Sequence, residues 1–257
     1  MGGRSSGRRD CHDPDPLSKA KSLRPVPPET VNRRPSFVVA IDGPTASGKG
    51  TLARRLAERL GFAHLDSGLL YRAVGQALLR AGKDPADAVA AEAAARALDP
   101  ARLDDPDLRS EAASRAASKV AALPGVRAAL LDFQRRFAAT PPGGRPGAVI
   151  DGRDIGSVVC PGAQAKIFLD AGVEVRAARR EKELRQRGAP IIEGAVLRDL
   201  QERDARDRNR AVSPLVRAGD AFVLDTTDMD ADEAFDKALA YVLQRSSGGP
   251  GGPAAET

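Results

Sequence analysis

The segment GPTASGKGT, from Gly43 to Thr51, has the residue types and spacing of a loop that binds phosphate. Gly43, Gly48 and Lys49 fit the pattern G-x-x-x-x-G-K, and an apolar run before the segment and a helical pattern after it supply the context that this motif requires. Small residues let successive backbone N–H groups point at phosphate oxygens, the helix start adds a favourable dipole, and the lysine reaches the outer phosphates. A chance glycine-rich turn is the weaker alternative, so we expect this loop to bind ATP.

The loop departs from the usual pattern at one position, because Gly50 stands where serine or threonine normally supplies a hydroxyl to Mg²⁺. Thr51 follows directly, and we predict that it takes over the role of metal ligand. The sequence therefore predicts ATP with Mg²⁺ as the phosphoryl donor. The residues predicted to bind ATP are Gly43, Pro44, Thr45, Ala46, Ser47, Gly48, Lys49, Gly50 and Thr51.

A second group of polar residues follows the next apolar run, in the segment LDSGLLYR. Asp66 has the residue type and position of a helix N-cap, which places Ser67 and Arg72 in the first two turns of the following helix. A plain surface arginine is the alternative for Arg72. Its position just after a strand favours a ligand of the acceptor phosphate instead.

The segment VIDGRD carries two carboxylates and a guanidinium at the end of a third apolar run. We predict that Arg153 stabilises charge on the transferring phosphoryl group and that Asp151 orients water or Mg²⁺. The alternative is a salt-bridged turn without a role in chemistry.

Two charged helical segments near the C-terminal end carry rows of arginines at helical spacing. Each row could be a solvated, pair-stabilised helix face. Beside a phosphate loop we favour a role in neutralising phosphates and excluding water during transfer, and we predict that Arg180 acts in catalysis together with Lys49, Asp151 and Arg153. The rows are Arg176, Arg179 and Arg180, and Arg203, Asp207 and Arg210.

Short apolar runs alternate with helical patterns, which predicts an α/β fold with a parallel sheet between two helical layers and ligands at the carboxyl ends of its strands. Strands are predicted at 37–41, 62–65, 148–150, 165–169 and 221–224, and helices at about 49–60, 68–80, 173–187, 193–209 and 230–244. The Ala-rich segment 82–147 is too long for a plain connection and predicts an insert beside the cleft. Residues 185–195 are predicted to form a short hinged lid.

Composition excludes several classes of protein. The chain has two cysteines, at positions 11 and 160, which give neither a disulfide framework nor metal-ligand spacing. No apolar run approaches the length of a membrane span or resembles a signal peptide, so a soluble cytoplasmic protein is expected. Residues 1–35 hold eight Lys or Arg against four Asp or Glu and thus most of the net charge of +5. A near-neutral remainder argues against a face that binds nucleic acid.

The two ends have the composition of disordered segments. Residues 1–35 are predicted to be a basic extension, either a solvated tail, a consequence of a misassigned start codon, or a partner-binding arm. Residues 246–257 are predicted to be a flexible tail, which leaves 36–245 as the catalytic domain.

Taken in series, several motifs resemble the bacterial cytidylate (CMP) kinase family, in the nucleoside monophosphate (NMP) kinase superfamily. They are IDGPTASGKGT, LDSGLLYR, AASKVAALPGVR, DGRDIGSVV, AKIFLDA and RDARDRNRAVSPL. The resemblance spans about residues 36–245 and implies transfer of the ATP γ-phosphate to CMP or dCMP. It also implies a P-loop NMP-kinase fold with a five-stranded parallel core, an NMP-binding insert and a short lid. Separately, we expect a monomer.

By matching motif positions, the resemblance implies a set of acceptor ligands. Arg72 and Arg153 fall on the positions that hold phosphate, and Arg203 and Asp207 on those that contact ribose. The positions that contact cytosine are Ser118, Arg127, Asp154 and Arg210.

One departure from the family concerns the insert, where many members carry a small antiparallel sheet. Few strand-forming residues occur between positions 98 and 112 here, so we expect a shorter, more helical insert. Two rivals remain: a P-loop kinase of another nucleotide or metabolite, and a P-loop ATPase that acts on nucleic acid.

Overall fold

The centre of the fold is a parallel five-stranded sheet. The computed structural model describes residues 1–2, 36–186, 188, 192 and 194–247. The strands are β1 (Phe37–Asp42), β2 (Ala63–Asp66), β3 (Gly147–Gly152), β4 (Ala165–Asp170) and β5 (Phe222–Asp225). They are ordered β2-β3-β1-β4-β5 and every neighbouring pair is parallel, which confirms the predicted sheet.

Helices cover both faces of this sheet. They are α1 (Lys49–Leu60), α2 (Ser67–Arg80), α3 (Ala88–Arg96), α4 (Glu111–Val120), α5 (Pro124–Ala139), α6 (Val173–Gln186), α7 (Ala195–Asn209) and α8 (Ala231–Ser247). Successive side chains of a strand point to opposite faces. Val39 and Ile41 accordingly pack in one core cluster with α1 and α8, while Val38 and Ala40 pack in another with α5. The predicted three-layer α/β arrangement is confirmed.

Helix α1 has the bounds that the sequence predicts. It begins after Gly48 and ends before Gly61, whose φ angles of 93° and 68° lie in the left-handed region. Glycine reaches that region without steric cost, so it stops a helix sharply at either end. The first of these glycines belongs to the predicted phosphate loop, and the loop is therefore fixed to the first turn of α1.

The segment that interrupts the alternation is helical. Between β2 and β3 the chain forms α2 to α5 with short 3-10 turns at Pro100–Arg102 and Pro106–Arg109, and no strand occurs in the fully described stretch 82–146. These helices bury a separate core that includes Leu70, Val120 and Leu130. The bounds of an acceptor-binding insert remain a prediction.

Some predicted segments lie outside the described residues. This holds for nearly all of the extension 1–35, for residues 248–257 of the tail, and for positions 187, 189–191 and 193 of the predicted lid. Among the helices that are described, none is long and apolar enough to cross a membrane.

Candidate active site

A cavity of about 340 Å³ opens at the carboxyl ends of β1, β2 and β3. This is the edge of a parallel sheet at which ligands bind. Three loop residues predicted to bind ATP, Gly43, Pro44 and Ser47, are not among its lining residues. The predicted residues that do line it are Thr45, Ala46, Gly48, Lys49, Gly50, Thr51, Ser67, Arg72, Ser118, Arg127, Asp151, Arg153, Asp154, Arg180, Arg203, Asp207 and Arg210.

The conformation of the phosphate loop is fixed by a left-handed backbone position and by a hydrogen bond from its lysine. Ala46 has a φ of 61°, a left-handed conformation that is uncommon outside glycine. Lys49 Nζ donates a hydrogen bond to the carbonyl oxygen of Pro44 at 3.0 Å and so closes the loop on itself. Gly43 packs closely against β4. A β-carbon at this position would lie 2.1 Å from the carbonyl oxygen of Leu169, so a larger residue would push the loop away from the sheet.

The surroundings of Lys49, the lysine of the loop, disfavour its positive charge. Burial and the nearby guanidinium of Arg153 lower the pKa of Lys49 to about 7, while the carboxylates of Asp151 and Asp66 act in the opposite direction. A bound phosphate would supply the missing negative charge. This is the electrostatic state expected of a lysine that awaits an anionic ligand.

Arg153 joins three parts of the cavity. Its Nε donates to Asp207 Oδ2 at 2.8 Å, its Nη2 donates to Thr45 Oγ1 at 2.8 Å, and its Nη1 donates to the carbonyl oxygen of Gly152 at 3.3 Å. The end of β3, the phosphate loop and α7 are thereby connected through one guanidinium. The spacing of VIDGRD predicts the position of Arg153, but not these partners.

Charges of alternating sign continue from Arg153 towards the insert. Asp207 lies 3.6 Å from Arg210 Nη1, and Arg210 Nη2 lies 3.7 Å from Asp154 Oδ1. Asp154 in turn accepts a hydrogen bond from Arg127 of α5. All four of these side chains are buried, so the interactions are weakly screened. The predicted donor and acceptor residues therefore form one connected electrostatic network.

The predicted acceptor residues on α2 also face the cavity. Asp66 caps α2 as expected, because its Oδ1 accepts from the N–H of Gly68 at 2.9 Å. Arg72 donates to the carbonyl oxygen of Leu108 at 3.1 Å, and burial lowers its pKa although Asp66 opposes this. Ser67 is buried and donates to the carbonyl oxygen of Asp151 at 2.8 Å, so its hydroxyl proton is already engaged.

The row of arginines on α6 divides into different roles. Only Arg180 lines the cavity, where it pairs with Glu111 and Glu183. Arg176 is buried against Asp204 at 2.7 Å and also donates to the carbonyl oxygen of Thr45 at 3.0 Å, while Arg179 donates to Thr226. The interpretation that the whole row faces phosphate does not hold for Arg176 and Arg179, because neither residue lines the cavity.

The row of Arg203, Asp207 and Arg210 does line the cavity, and two arginines of α7, Arg203 and Arg206, have partners on α4. Arg203 Nη1 donates to Ser114 Oγ at 2.6 Å, and Arg203 Nε pairs with Asp199 at 2.8 Å. Ser118 Oγ accepts from Arg206 at 2.6 Å. Helices α4 and α7 are thus linked across the cavity.

Several residues of the cavity escape prediction from the sequence. Ser114 and Asp199 hold Arg203, and they lack any motif that distinguishes them from other polar residues on helix surfaces. Asp42, which does not itself line the cavity, is buried and accepts from the N–H groups of Ile155 and Gly156, both at 2.7 Å, so it fixes the chain just after Asp154. Burial raises the pKa of Asp42 to about 6 although those two hydrogen bonds lower it. The other unpredicted lining residues include Arg54 and Arg109.

The residues of the cavity fit a magnesium ion that is shared with a nucleotide. Within the described part of the chain, no group of three or more His, Cys, Asp or Glu forms a dedicated metal cage. Mg²⁺ is usually bound by one or two protein ligands, with waters and phosphates completing its shell. Thr51, Asp66 and Asp151 all line the cavity near Lys49 and could provide those ligands.

A glycine-rich loop that leads from the central strand of a parallel sheet into a helix, with an arginine-lined cavity beside it, defines a P-loop nucleotide-binding protein. Comparison with known proteins narrows the class. The family model described as cytidylate kinase matches residues 39–244. This chain belongs to the cytidylate kinase family.

Curated relatives support that membership over nearly their whole length. A cytidylate kinase of Paramagnetospirillum magneticum is 66% identical over 80% of this chain and 98% of its own. Another, of Rhodospirillum rubrum, is 61% identical over 82% of this chain and 99% of its own. A third, of Azorhizobium caulinodans, is 57% identical over 82% of this chain and its full length.

Proposed function

We propose that this chain transfers the γ-phosphoryl group of ATP to CMP and dCMP, giving ADP and CDP or dCDP. The observation that carries the proposal is one cavity in which Arg153, Asp207 and Arg210 connect the phosphate loop to the Arg127–Asp154 pair. Family membership and relatives named cytidylate kinase support the same activity.

On the donor side, the chain supplies positioning and charge without a covalent intermediate. Backbone N–H groups of the loop and Lys49 bind the phosphates of ATP, and Arg153 reaches the transferring group from the end of β3. Arg180 approaches the same cavity from α6. When bound, Mg²⁺ would neutralise phosphate charge, and Thr51 with Asp151 would hold it.

The base of the acceptor is read by the buried charges near the insert. Cytosine presents an amino donor beside the N3 and O2 acceptors, so the Asp154 carboxylate suits the amino group, and Arg127 and Ser118 suit the acceptors. Uracil has a carbonyl oxygen where cytosine has the amino group. With UMP the Asp154 carboxylate would therefore face another acceptor and lack a hydrogen-bond donor. We expect UMP to lose about 1 to 3 kcal/mol of binding free energy as a result.

The rest of the acceptor is held by arginines and one carboxylate. Arg72 and Arg153 bind its phosphate and place it in line with the donor, and Ser67 lies at the start of α2 beside them. Asp207 and Arg203 bind the ribose hydroxyls. Arg210 lies near both Asp154 and Asp207, and therefore between the base and the ribose of the bound acceptor. Closure of the predicted lid at 185–195 would exclude water, which would otherwise turn transfer into hydrolysis.

Initial rates with ATP and a panel of acceptors test the proposal. CMP and dCMP should be phosphorylated fastest, and a preference for UMP, AMP or a metabolite such as shikimate would favour the rival kinase. ATP hydrolysis that is stimulated by RNA or DNA, with binding that weakens steeply in salt, would favour the nucleic-acid ATPase. We further propose a cytoplasmic monomer that engages neither nucleic acid nor membrane, which gel filtration and fractionation would test.

A further inference from the structure

His64 is a polar residue within strand β2. It lies on β2, two residues before Asp66, so the two side chains share one face of the sheet. In the parallel register Asp66 pairs with Asp151 of β3. His64 therefore sits diagonally behind Asp151, on the side away from the phosphate loop.

The contact between these residues is specific. His64 Nε2 and Asp151 Oδ1 are 2.9 Å apart, although the residues are separated by 87 positions in the chain. Because a carboxylate oxygen accepts, the hydrogen of the imidazole must be on Nε2. The side chain of Asp151 is 4% exposed and that of His64 is 23% exposed, so the histidine covers the carboxylate from outside.

The other oxygen of Asp151 points towards the phosphate loop. A β-carbon built on Gly50, in the first turn of α1, would lie 3.7 Å from Asp151 Oδ2. Asp151 also lines the cavity together with Lys49 and Asp66, so its carboxylate is part of the ligand-facing surface. Oδ1 of Asp151 is thus bonded to His64, while Oδ2 faces the phosphate loop.

We propose that His64 is a positioning residue, which holds Oδ1 of Asp151 so that Oδ2 faces the metal and phosphate side of the cavity. A buried carboxylate without a partner would be free to rotate towards another donor, since an unsatisfied buried polar group is costly. The inference rests on the proposed function for its kinetic consequence. Its structural part concerns only the orientation of Asp151.

Two substitutions separate positioning from simple filling of space. His64→Leu keeps the bulk but removes the donor, and His64→Gln supplies an amide N–H at similar reach. We expect His64→Leu to lower kcat about tenfold with KM for CMP unchanged, since loss of a residue that orients a metal-site carboxylate costs about 10- to 100-fold. His64→Gln should recover most of that loss.

The control removes a polar link at the opposite end of β2. Arg145 Nη1 donates to the carbonyl oxygen of Gly61 at 3.3 Å, and Arg145→Ala should change stability without changing kcat. In an Asp151→Asn background His64→Leu should add little, because residues that act as a unit are not additive. Additive losses would overturn the proposal, as would a His64→Gln variant as slow as His64→Leu.

A binding measurement keeps the test independent of turnover. Calorimetric titration with ATP should show about tenfold weaker binding by His64→Leu when Mg²⁺ is present and equal binding when it is absent. Equal weakening in both conditions would mean that His64 only supports the fold. If the wild-type chain fails to phosphorylate CMP, the proposed function fails, yet this titration still decides the role of His64. If His64→Leu does not fold, wild type and His64→Gln can be compared in the same titration. A His64→Gln variant that binds ATP no more tightly with Mg²⁺ than without it would contradict the proposal.

Discussion

Arg153 Nε lies 2.8 Å from Asp207 Oδ2, and the same guanidinium bonds Thr45 of the phosphate loop at 2.8 Å. A residue proposed to act on the transferring phosphoryl group is therefore oriented by a residue proposed to bind the acceptor. Arginine suits this position because its planar fork can serve several acceptors at fixed angles. The proposed acceptor site and the phosphate loop proposed to bind ATP are therefore connected through one side chain.

Replacing Arg153 with alanine should slow catalysis severely while the fold survives. Loss of a preorganised donor to the transition state costs about 10²- to 10³-fold in kcat. Arg153→Lys keeps one charge but cannot bond Asp207 and Thr45 together, so it should fall between alanine and wild type. Steady-state rates with CMP and circular dichroism check this, and normal turnover in Arg153→Ala would remove the residue from the mechanism.

Binding of ATP should be accompanied by proton uptake at pH 8. In the free protein the pKa of Lys49 is about 7, lowered by burial and by Arg153, so the amine is mostly neutral at pH 8. A bound phosphate restores its charge, and about one proton should enter the complex from the buffer. Calorimetry in two buffers of different ionisation enthalpy measures that number.

The matched variant for this measurement is Lys49→Arg, because a guanidinium stays protonated at this pH. Its uptake should be close to zero. Identical apparent binding enthalpies for the wild type in both buffers would show that Lys49 is already charged in the free protein.

Breaking the buried pair of Arg176 and Asp204 should destabilise the protein strongly. Both side chains are only 3% exposed and their atoms are 2.7 Å apart. Arg176→Met leaves an unpaired buried carboxylate, which costs about 3 to 5 kcal/mol in the free energy of unfolding. Denaturant titration is the measurement.

The double variant Arg176→Met, Asp204→Leu should recover most of that loss, because an apolar pair of similar volume often replaces a buried ion pair without penalty. Arg80→Ala is the exposed comparison, since Arg80 pairs with Asp105 and Asp107 at the surface and should change stability by less than about 1 kcal/mol. A double variant as unstable as the single one would contradict this account of the pair.

Asp42 should make stability depend on pH in a predictable direction. Its pKa rises from 3.8 to about 6 on folding because of burial. A carboxyl with a raised pKa in the folded state contributes stability below its unfolded value, and this contribution is lost as pH rises through 6. Asp42→Asn, which resembles the protonated acid, should therefore gain about 3 kcal/mol relative to wild type between pH 3 and pH 8.

Subtracting the free energy of unfolding of wild type from that of Asp42→Asn at each pH cancels the titration of all other groups. Unfolding free energies of both at a series of pH values would give this difference. Parallel curves for wild type and Asp42→Asn across that range would show that the carboxyl titrates alike in both states.

Much of the fold follows from local sequence signals. Helix α1 was predictable in full because Gly48 and Gly61 mark both ends and its apolar residues recur at helical spacing. The helices of the insert were not delimited, because an Ala-rich segment has weak periodicity. Their starts depend on small caps such as the Ser110 hydroxyl, which accepts from the N–H of Ala113 at 3.1 Å.

The candidate site was predictable wherever a residue type follows a strand in a motif. Lys49 and Arg153 were found in this way. Contacts that depend on strand register or on packing between distant helices were not, as in the bond of His64 to Asp151 or of Arg176 to Asp204. Spacing alone therefore assigned Arg176 to the phosphate site, whereas the fold uses it to join α6 to α7.

We propose that Asp154 and its arginine partners select cytosine in the acceptor. The most direct test is the ratio of kcat/KM for CMP to that for UMP in the wild-type protein, at fixed MgATP. A loss of 1 to 3 kcal/mol for uracil corresponds to a preference for CMP of about 5- to 150-fold. Equal or faster phosphorylation of UMP would contradict the assignment of the acceptor.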